Sequence, residues 1–135
     1  MSGSAVIEVA AAILRRGGLI LIAQRHKHDP LANFWEFPGG KREPGETFEQ
    51  CLARELQEEL GVVVRVGRLV HDVTHAYPER TVRLCFFECD LLAGEPKPLD
   101  CQDCRWIPAG ELRRYKFPPA DDELIELLAK PRAER

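Results

Sequence analysis

Three glutamates, Glu55, Glu58 and Glu59, stand three and four positions apart in a segment with helical apolar periodicity. At about 100° per residue they project into one sector about 100° wide, which lies beside the apolar stripe and not opposite it. Carboxylates at this spacing repel one another unless a positive charge lies between them. A hard divalent cation with oxygen ligands, Mg²⁺ or Mn²⁺, meets that need. The spacing therefore favours a metal site, whereas the structural alternative is a solvated Glu-rich helix.

The residues around these glutamates predict how the helix is placed. Thr47 followed by Gln50 is a capping-box pattern, and Gly61 stands where a helix C-terminus is capped. Glu59 projects only about 20° from the first residue of the apolar stripe, so we expect its carboxylate to lie close to the core. The stripe consists of Phe48, Leu52, Leu56 and Leu60.

The whole segment matches a known signature. Its spacing, Gly40-x5-Glu46-x7-Arg54-Glu55-Leu56-x-Glu58-Glu59-x-Gly61-Val62, agrees with the Nudix box at every defined position. The segments 32–41, 77–80, 94–96 and 117–121 resemble the MutT-like branch of that family, so the resemblance covers roughly residues 6–130. It implies an α/β (α+β) Nudix fold, a mixed β-sheet sandwiched between α-helices. We expect a single domain over residues 1–135, with a frayed tail at 131–135.

The resemblance implies a Mg²⁺-dependent pyrophosphohydrolase that cleaves a (deoxy)nucleoside triphosphate, above all 8-oxo-dGTP, to the monophosphate and pyrophosphate. Metals would clamp the phosphate oxygens and lower the pKa of the attacking water. Carried over by position, the metal ligands are Glu55, Glu58 and Glu59 with the Gly39 carbonyl. The catalytic set is Glu55, Arg54, Glu46 and Glu58.

Within that set, Arg54 would orient the carboxylates by charge-assisted hydrogen bonds. Glu46 would support the loop or the outer shell of the metal. Glu55 is the first candidate for the group that takes the proton of water, and a side chain of residues 100–103 is the second.

Four more residues resemble substrate contacts of the MutT-like branch. Arg25 resembles the arginine that grips phosphate, for which a bidentate, pH-independent cation is well suited. Lys41 would point toward the metal loop, and Glu36 and Phe37 would line the nucleotide pocket. The structural alternatives are a solvated Arg25, a surface Lys41 and a packed core aromatic at Phe37.

Asp121 departs from the pattern of the MutT-like branch, which typically has Asn at this position, and resembles the Ala-Asp of a related branch that cleaves CTP and modified dCTP. An amide both donates and accepts, so it matches the O6 acceptor and N7–H donor of 8-oxoguanine, whereas an ionised Asp only accepts. Unless it is protonated, Asp121 suits the N–H edge of guanine or the amino group of cytosine better. CTP and modified dCTP are therefore the alternative substrates, and a helix N-cap is the structural alternative for Asp121.

Composition excludes several other classes of protein. The chain has 135 residues, 44% of them hydrophobic, and a net charge of −3, so it lacks the basic footprint of a nucleic-acid polymer binder. Its apolar runs are far shorter than the ~18–20 residues that span a bilayer. The first residues do not show a basic segment followed by an apolar one, so we do not expect secretion. Five cysteines favour a reducing compartment. We therefore expect a cytoplasmic monomer or homodimer whose partner is a small nucleotide.

Periodicity and turn residues predict the remaining elements. A hairpin joins strands at 6–14 and 19–25, and a short extended piece at 34–37 is halted by Pro38-Gly39-Gly40. Further strands are predicted at 62–66, 69–75, 80–92 and 104–107, with a helical turn from Pro108 and a helix over 118–130.

Three weaker patterns stay open. Cys101 and Cys104 have the spacing of a zinc clip, but without a second pair they fit loop thiols better. His26, His28 and Asp29 could form a metal cluster, although solvated residues at the substrate rim are the simpler interpretation. A Nudix-fold module that binds nucleotides without turnover is the alternative to an enzyme, and such modules usually lose box glutamates, none of which is lost here.

Overall fold

The computed structural model describes residues 6–28 and 31–130, which form a mixed β-sheet with helices on both faces. Its strands are β1 (Val6–Arg16), β2 (Leu19–Gln24), β3 (Trp35–Glu36), β4 (Gly39–Lys41), β5 (Val63–Ala76), β6 (Thr81–Ala93) and β7 (Asp103–Pro108). Its α-helices are α1 (Phe48–Leu60) and α2 (Asp122–Ala129), and 3₁₀ turns occupy Ala109–Arg114 and Pro119–Asp121.

The central strand of the sheet is β1. The strands follow the order β3-β2-β1-β6-β5, while β4 also pairs with β1 and β7 with β2. The pairing of β1 with β6 is parallel, from Val6 opposite Thr81 to Leu14 opposite Cys89, and the other pairings are antiparallel. The predicted hairpin between β1 and β2 is confirmed, and its turn places Gly17 at a φ of +60°.

Alternation along β1 divides the core into two layers. Ala10, Ala12 and Leu14 pack with α1, whereas Ala11 and Ile13 pack with Leu124 and Ile125 of α2. Both faces of β1 are thus buried, as a central strand between two helical layers requires. The predicted sandwich of a mixed sheet between helices is confirmed.

Local signals define both ends of α1. The Thr47 side chain accepts from the backbone N–H of Gln50, and the Gln50 side chain accepts from the N–H of Thr47. Gly61 ends the helix in the left-handed conformation, with a φ of 72°. Glu59 is buried together with four apolar residues of the helix, so the expectation that it lies close to the core is confirmed.

Three predicted boundaries are wrong. Gly39 and Gly40 do not halt an extended segment but form β4, because they have no side chains and can lie directly against Ala11 and Ala10 of β1. The strands predicted at 62–66 and 69–75 are one strand, β5, since irregular pairing between Val66 and Leu69 lets β6 continue beside it. The helix predicted at 118–130 is a 3₁₀ turn followed by α2.

Some expectations fall on undescribed positions, namely Asp29 and the tail at 131–135. In the described part of the chain, α1 and α2 are both too short to cross a membrane, and no other helix there has the required length and hydropathy.

Candidate active site

Two cavities, each of about 720 Å³, meet beside β4. The first, here called the apolar cavity, is walled by β1 and β6 and has Asp121 in its lining. The second, the acidic cavity, is lined by Glu55, Glu59 and Asp100. Both cavities share four lining residues, Arg25, Glu36, Gly40 and Lys41. A ligand with an apolar ring and a negatively charged tail could therefore occupy both at once.

Glu59 is the most deeply buried carboxylate of the acidic cavity. Glu59 is only 9% exposed to solvent, and its Oε1 accepts a hydrogen bond from the Gly39 N–H at 3.3 Å. Burial, together with the negative charges of Glu36, Glu55 and Asp100, raises the pKa of Glu59 to about 8. Such a cluster of carboxylates is best stabilised by a cation placed among them.

Glu55 lies against the backbone of Gly40. A Cβ atom built on Gly40 would be 2.2 Å from the carboxylate carbon of Glu55, so glycine leaves the space that this carboxylate fills. Burial raises the pKa of Glu55, and the neighbouring Arg54 partly opposes the shift. The side chain is thus a more basic carboxylate than an exposed Glu.

Arg54 holds three carboxylates. Its Nε and Nη2 donate to the two oxygens of Glu46 at 2.6 and 3.0 Å, while Nη1 donates to Glu55 at 3.0 Å and to Glu58 at 3.3 Å. The pKa of Glu46 is lowered to about 2, first by Arg54 and then by the N–H of Glu43. Arg54 therefore links the loop before α1 to the carboxylate at the acidic cavity.

Glu58, unlike Glu55 and Glu59, lies outside the acidic cavity. Its side chain is 60% exposed and contacts Arg54. Within residues 6–28 and 31–130, no three His, Cys, Asp or Glu side chains already stand in metal-ligand geometry. The donor set of Glu55 and Glu59 still fits a hard cation, because both are carboxylates that line the same cavity and Gly40 leaves room for the oxygens of Glu55. Gly39 contacts Glu59 through its N–H, and the Gly39 carbonyl as a ligand stays a prediction.

The predicted substrate contacts gather where the cavities join. Arg25 donates from Nη1 to Glu36 at 2.9 Å, and Lys41 is exposed beside them. Phe37 is 4% exposed and packs between Phe86 and Phe117, with ring centroids 5.8 and 5.2 Å away. It therefore belongs to the core and also lines the apolar cavity.

Asp121 is buried, with 4% exposure, at the apolar cavity. Burial, together with the charges of Glu36 and Asp122, raises its pKa to about 7. It stands at the N-cap position of α2, but its side chain accepts no hydrogen bond from the helix. The alternative that the Asp121 side chain serves as a helix cap is therefore wrong.

The loop before β7 brings a residue into the site that the sequence named only within a range. The N–H groups of Leu99 and Asp100 donate to the Glu59 carbonyl at 3.0 and 3.2 Å and so seat the loop on the C-terminus of α1. Asp100 consequently lines the acidic cavity, whereas Asp103 is held by Arg105 at 3.0 Å. Of the two aspartates in the predicted range 100–103, it is Asp100 that faces the cavity.

The weaker metal patterns gain no support. Burial raises the pKa of the Cys101 thiol to about 12, and Cys104 is only partly exposed. A zinc site needs thiolates and a fuller ligand set than the described residues assemble around this pair. His26 and His28 stack with ring centroids 5.6 Å apart, and His26 lies 3.4 Å from Asp100, at the edge of the acidic cavity.

The contact between Gly40 and Glu55 gives a first testable prediction. Gly40→Ala is expected to lower kcat by about 10–10²-fold, because the added methyl group displaces the Glu55 carboxylate. The melting temperature should change little, since Glu55 is a flexible side chain that can move away. Kinetics and thermal denaturation would measure both effects.

Two alanine variants serve as comparisons. At Gly18 a Cβ atom meets nothing within 4 Å, so Gly18→Ala should leave kcat unchanged. At Gly39 it would lie 1.9 Å from the Ala10 backbone oxygen, so Gly39→Ala should mainly destabilise the fold. A wild-type kcat for Gly40→Ala would mean that the position of Glu55 is unimportant for the reaction.

Comparison with known proteins gives consistent matches. A sequence model described as "NUDIX domain" matches residues 9–127. A CTP pyrophosphohydrolase of Escherichia coli K12 is 38% identical over 96% of this chain and 96% of the relative. An 8-oxo-dGTP diphosphatase of Haemophilus influenzae is 38% identical over 91% of each chain. A solved MutT structure, from a study of Aliivibrio salmonicida and Vibrio cholerae, superimposes with a TM-score of 0.77 at 30% identity, over 91% of this chain and 95% of that one.

Proposed function

The chain belongs to the Nudix family of hydrolases, and on this basis we propose that it cleaves 8-oxo-dGTP to 8-oxo-dGMP and pyrophosphate in a Mg²⁺-dependent reaction. The main support for the proposal is that the two cavities share part of their lining. The apolar cavity contains Asp121, and the acidic cavity contains Glu55 and Glu59. The base would lie in the first cavity and the phosphates in the second.

The protonation state of Asp121 supports 8-oxo-dGTP as the substrate. With a pKa of about 7, this carboxyl group is partly protonated at neutral pH. A protonated carboxyl group donates through its O–H and accepts through its C=O, as an amide does. It can therefore donate to O6 and accept from N7–H of 8-oxoguanine, which an ionised Asp cannot do.

CTP or a modified dCTP is the second candidate substrate. The ionised form of Asp121 accepts only, and that matches the amino group of cytosine. The 38% identity to a relative named CTP pyrophosphohydrolase also favours this candidate. The two substrates thus require opposite protonation states of one residue.

Several residues would act on the triphosphate. Arg25 and Lys41 carry positive charge at the junction of the cavities and would bind phosphate oxygens. Glu55 and Glu59 would hold Mg²⁺, or Mn²⁺ in its place, with Glu58 and the Gly39 carbonyl as further candidate ligands. A bound cation would neutralise phosphate charge and lower the pKa of the attacking water.

Proton transfer from water needs a basic group at the acidic cavity. We assign this to Glu55, because burial raises its pKa and Arg54 fixes one of its oxygens. Asp100 is the alternative, although its side chain is 78% exposed and lies near His26. Arg54 and Glu46 would act by holding Glu55 in place.

Removal of 8-oxo-dGTP would keep an oxidised base out of DNA, which is a DNA-repair role in the nucleotide pool. The five free cysteines fit the reducing conditions of the cytoplasm, where we propose the protein acts. One sheet with a continuous core on each face supports a single domain over 1–135.

Products and isotope labelling test the reaction. We expect nucleoside monophosphate and pyrophosphate, with ¹⁸O from labelled water in the pyrophosphate, because water attacks the β-phosphorus and the monophosphate leaves. Chelation of metal should abolish turnover, and added Mg²⁺ should restore it. Label in the monophosphate, release of orthophosphate, or turnover in excess chelator would contradict the proposal.

A further inference from the structure

Arg42, in the loop between β4 and α1, is fixed from two sides. Its backbone N–H donates to the Glu8 carbonyl at 2.8 Å, and its Nε donates to Glu8 Oε1 at 3.0 Å, with Nη2 on the same oxygen. Its remaining nitrogen, Nη1, donates to the Glu46 carbonyl at 2.6 Å. One guanidinium thus connects the first half of β1 to the backbone immediately before α1.

Glu8 is itself held by the neighbouring strand. Its Oε2 lies 3.4 Å from Arg83 of β6, and Arg83 in turn donates to both oxygens of Asp72 on β5 at 3.1 and 2.8 Å. Arg42, and then Arg83, hold the pKa of Glu8 below its ordinary value. The anchor for Arg42 is therefore a fixed, ionised carboxylate on the sheet.

The ring of Phe48 adds a second attachment. The guanidinium of Arg42 lies 5.2 Å from its centroid and that of Arg83 lies 5.5 Å from it, both within cation–π range. Since Phe48 is the first residue of α1, these contacts fix the start of the helix as well as the loop.

Arg42 itself lines the acidic cavity, and its contacts on this side lead to the carboxylates there. The residue whose carbonyl it holds, Glu46, has its carboxylate in a bidentate pair with Arg54. Arg54 donates to Glu55, which lines the cavity. The chain of contacts from Glu8 through Arg42, Glu46 and Arg54 to Glu55 contains no gap.

We propose that Arg42 is a positioning residue of the active site: it fixes the backbone of Glu46 on the sheet, so that Glu46, through Arg54, keeps Glu55 at the acidic cavity. A simple surface ion pair would link only Arg42 and Glu8, whereas here Nη1 of Arg42 also donates a hydrogen bond to the backbone of Glu46. The role of Arg42 rests on the proposed roles of Glu46, Arg54 and Glu55.

Arg42→Gln tests this role against a matched control. We expect kcat to fall about 10–10²-fold and Mn²⁺ binding to the nucleotide-free protein to weaken by a similar factor, with KM for the nucleotide within about twofold of wild type. The control is Arg15→Gln, because the Arg15–Glu88 pair also joins an arginine to a carboxylate of the sheet at similar exposure, but neither of its residues lines a cavity. It should leave kcat and Mn²⁺ binding unchanged at a comparable shift in melting temperature.

Two further variants examine the route. Arg42→Lys should recover only part of the loss, since one ammonium does not reproduce the planar three-nitrogen contact to Glu8 and Glu46. In the Glu46→Gln background, Arg42→Gln should cost much less than it does alone, because its effect passes through Glu46. Full recovery by Lys, or additive losses in the double variant, would overturn the proposal.

The measurements separate the two levels of inference. If wild type hydrolyses nucleotides and Arg42→Gln matches it in kcat and Mn²⁺ affinity, the role of Arg42 is wrong and the proposed function stands. If wild type hydrolyses none of the nucleotides tested, the proposed function fails. Mn²⁺ binding, followed by electron paramagnetic resonance, then still decides whether Arg42 supports the carboxylate site.

Discussion

Glu59→Gln is expected to lower kcat by about 10²–10³-fold and, at the same time, to raise the melting temperature of the metal-free protein. The loss of activity follows because the neutral amide of Gln binds a hard cation more weakly than the negatively charged carboxylate of Glu does. The gain in stability follows because Glu59 is buried near Glu36, Glu55 and Asp100, and Gln removes one negative charge from that cluster. Gln still offers an oxygen to the Gly39 N–H.

The gain in stability should depend on pH in a defined direction. The pKa of Glu59 is about 8 in the folded protein, above its ordinary value, so the folded state binds the proton more tightly than the unfolded state does. Wild-type stability from this group is therefore complete at low pH and is lost as pH rises through 8. The Gln variant should gain little at pH 5 and about 1–2 kcal/mol above pH 8, or roughly 3–8 °C.

Magnesium should reverse the order of stability. A ligand that binds the folded state raises the melting temperature, so Mg²⁺ should stabilise wild type much more than Glu59→Gln. Glu49→Gln, in the exposed first turn of α1, is the control and should change neither kcat nor the response to Mg²⁺. A near-wild-type kcat for Glu59→Gln at saturating Mg²⁺ would show that Glu59 is not a ligand.

Substitution of Asp121 is expected to change which base is preferred. Asp121→Asn should shift the ratio of kcat/KM for 8-oxo-dGTP to that for CTP upward by roughly tenfold at pH 8, because the amide always presents a donor to O6. Asp121→Ala should raise KM more than it lowers kcat, since the residue lines the apolar cavity and not the acidic one. The measurement is kcat/KM for 8-oxo-dGTP, dGTP, CTP and 5-methyl-dCTP on each variant.

The wild-type ratio should itself vary with pH. With a pKa of about 7, Asp121 is mostly protonated at pH 6 and mostly ionised at pH 8. The preference of wild type for 8-oxo-dGTP over CTP should therefore fall across that interval, whereas the preference of Asp121→Asn should stay flat. Glu126→Gln, which changes an exposed residue of α2 whose charge does not act on the pKa of Asp121, should keep the wild-type profile. If neither substitution at Asp121 alters the ratios of kcat/KM among the four nucleotides, Asp121 does not take part in base recognition.

Local sequence signals predicted the elements whose stabilising contacts are local. The capping box of Thr47, the left-handed Gly61 and the apolar stripe all lie within α1 or at its ends, so spacing alone defined the helix. The helical wheel also predicted that Glu59 lies near the core. Gly17 and its neighbour likewise defined the first hairpin.

Contacts between distant segments could not be predicted in this way. The strand β4 exists because β1 offers Ala10 and Ala11, nearly thirty positions earlier, as partners without bulky side chains. The raised pKa of Asp121 comes from burial and from Glu36, which are properties of the assembled fold. Arg42 carries no motif at all, and its position becomes meaningful only when Glu8 and Glu46 are seen on either side of it.

The parallel pairing of β1 with β6 has a consequence for how the protein assembles. Glu8 and Arg83 face each other across this pair although they are 75 positions apart. Contacts that close such long loops form slowly, whereas a capped helix forms in microseconds. During synthesis α1 can therefore form long before β6 leaves the ribosome. Until then, the edge of β1 that pairs with β6 has no partner strand.

The two halves of the active site thus mature at different times. The glutamates of α1 stand on a helix whose caps are formed by neighbouring residues. Gly39 and Gly40, by contrast, belong to β4, which pairs with β1, and the pairing of β1 is complete only when β6 has joined it. A chain stopped before Thr81 would lack every residue of β6, including those that line the apolar cavity. We therefore expect premature termination to leave an exposed strand edge prone to aggregation and not a partly active hydrolase.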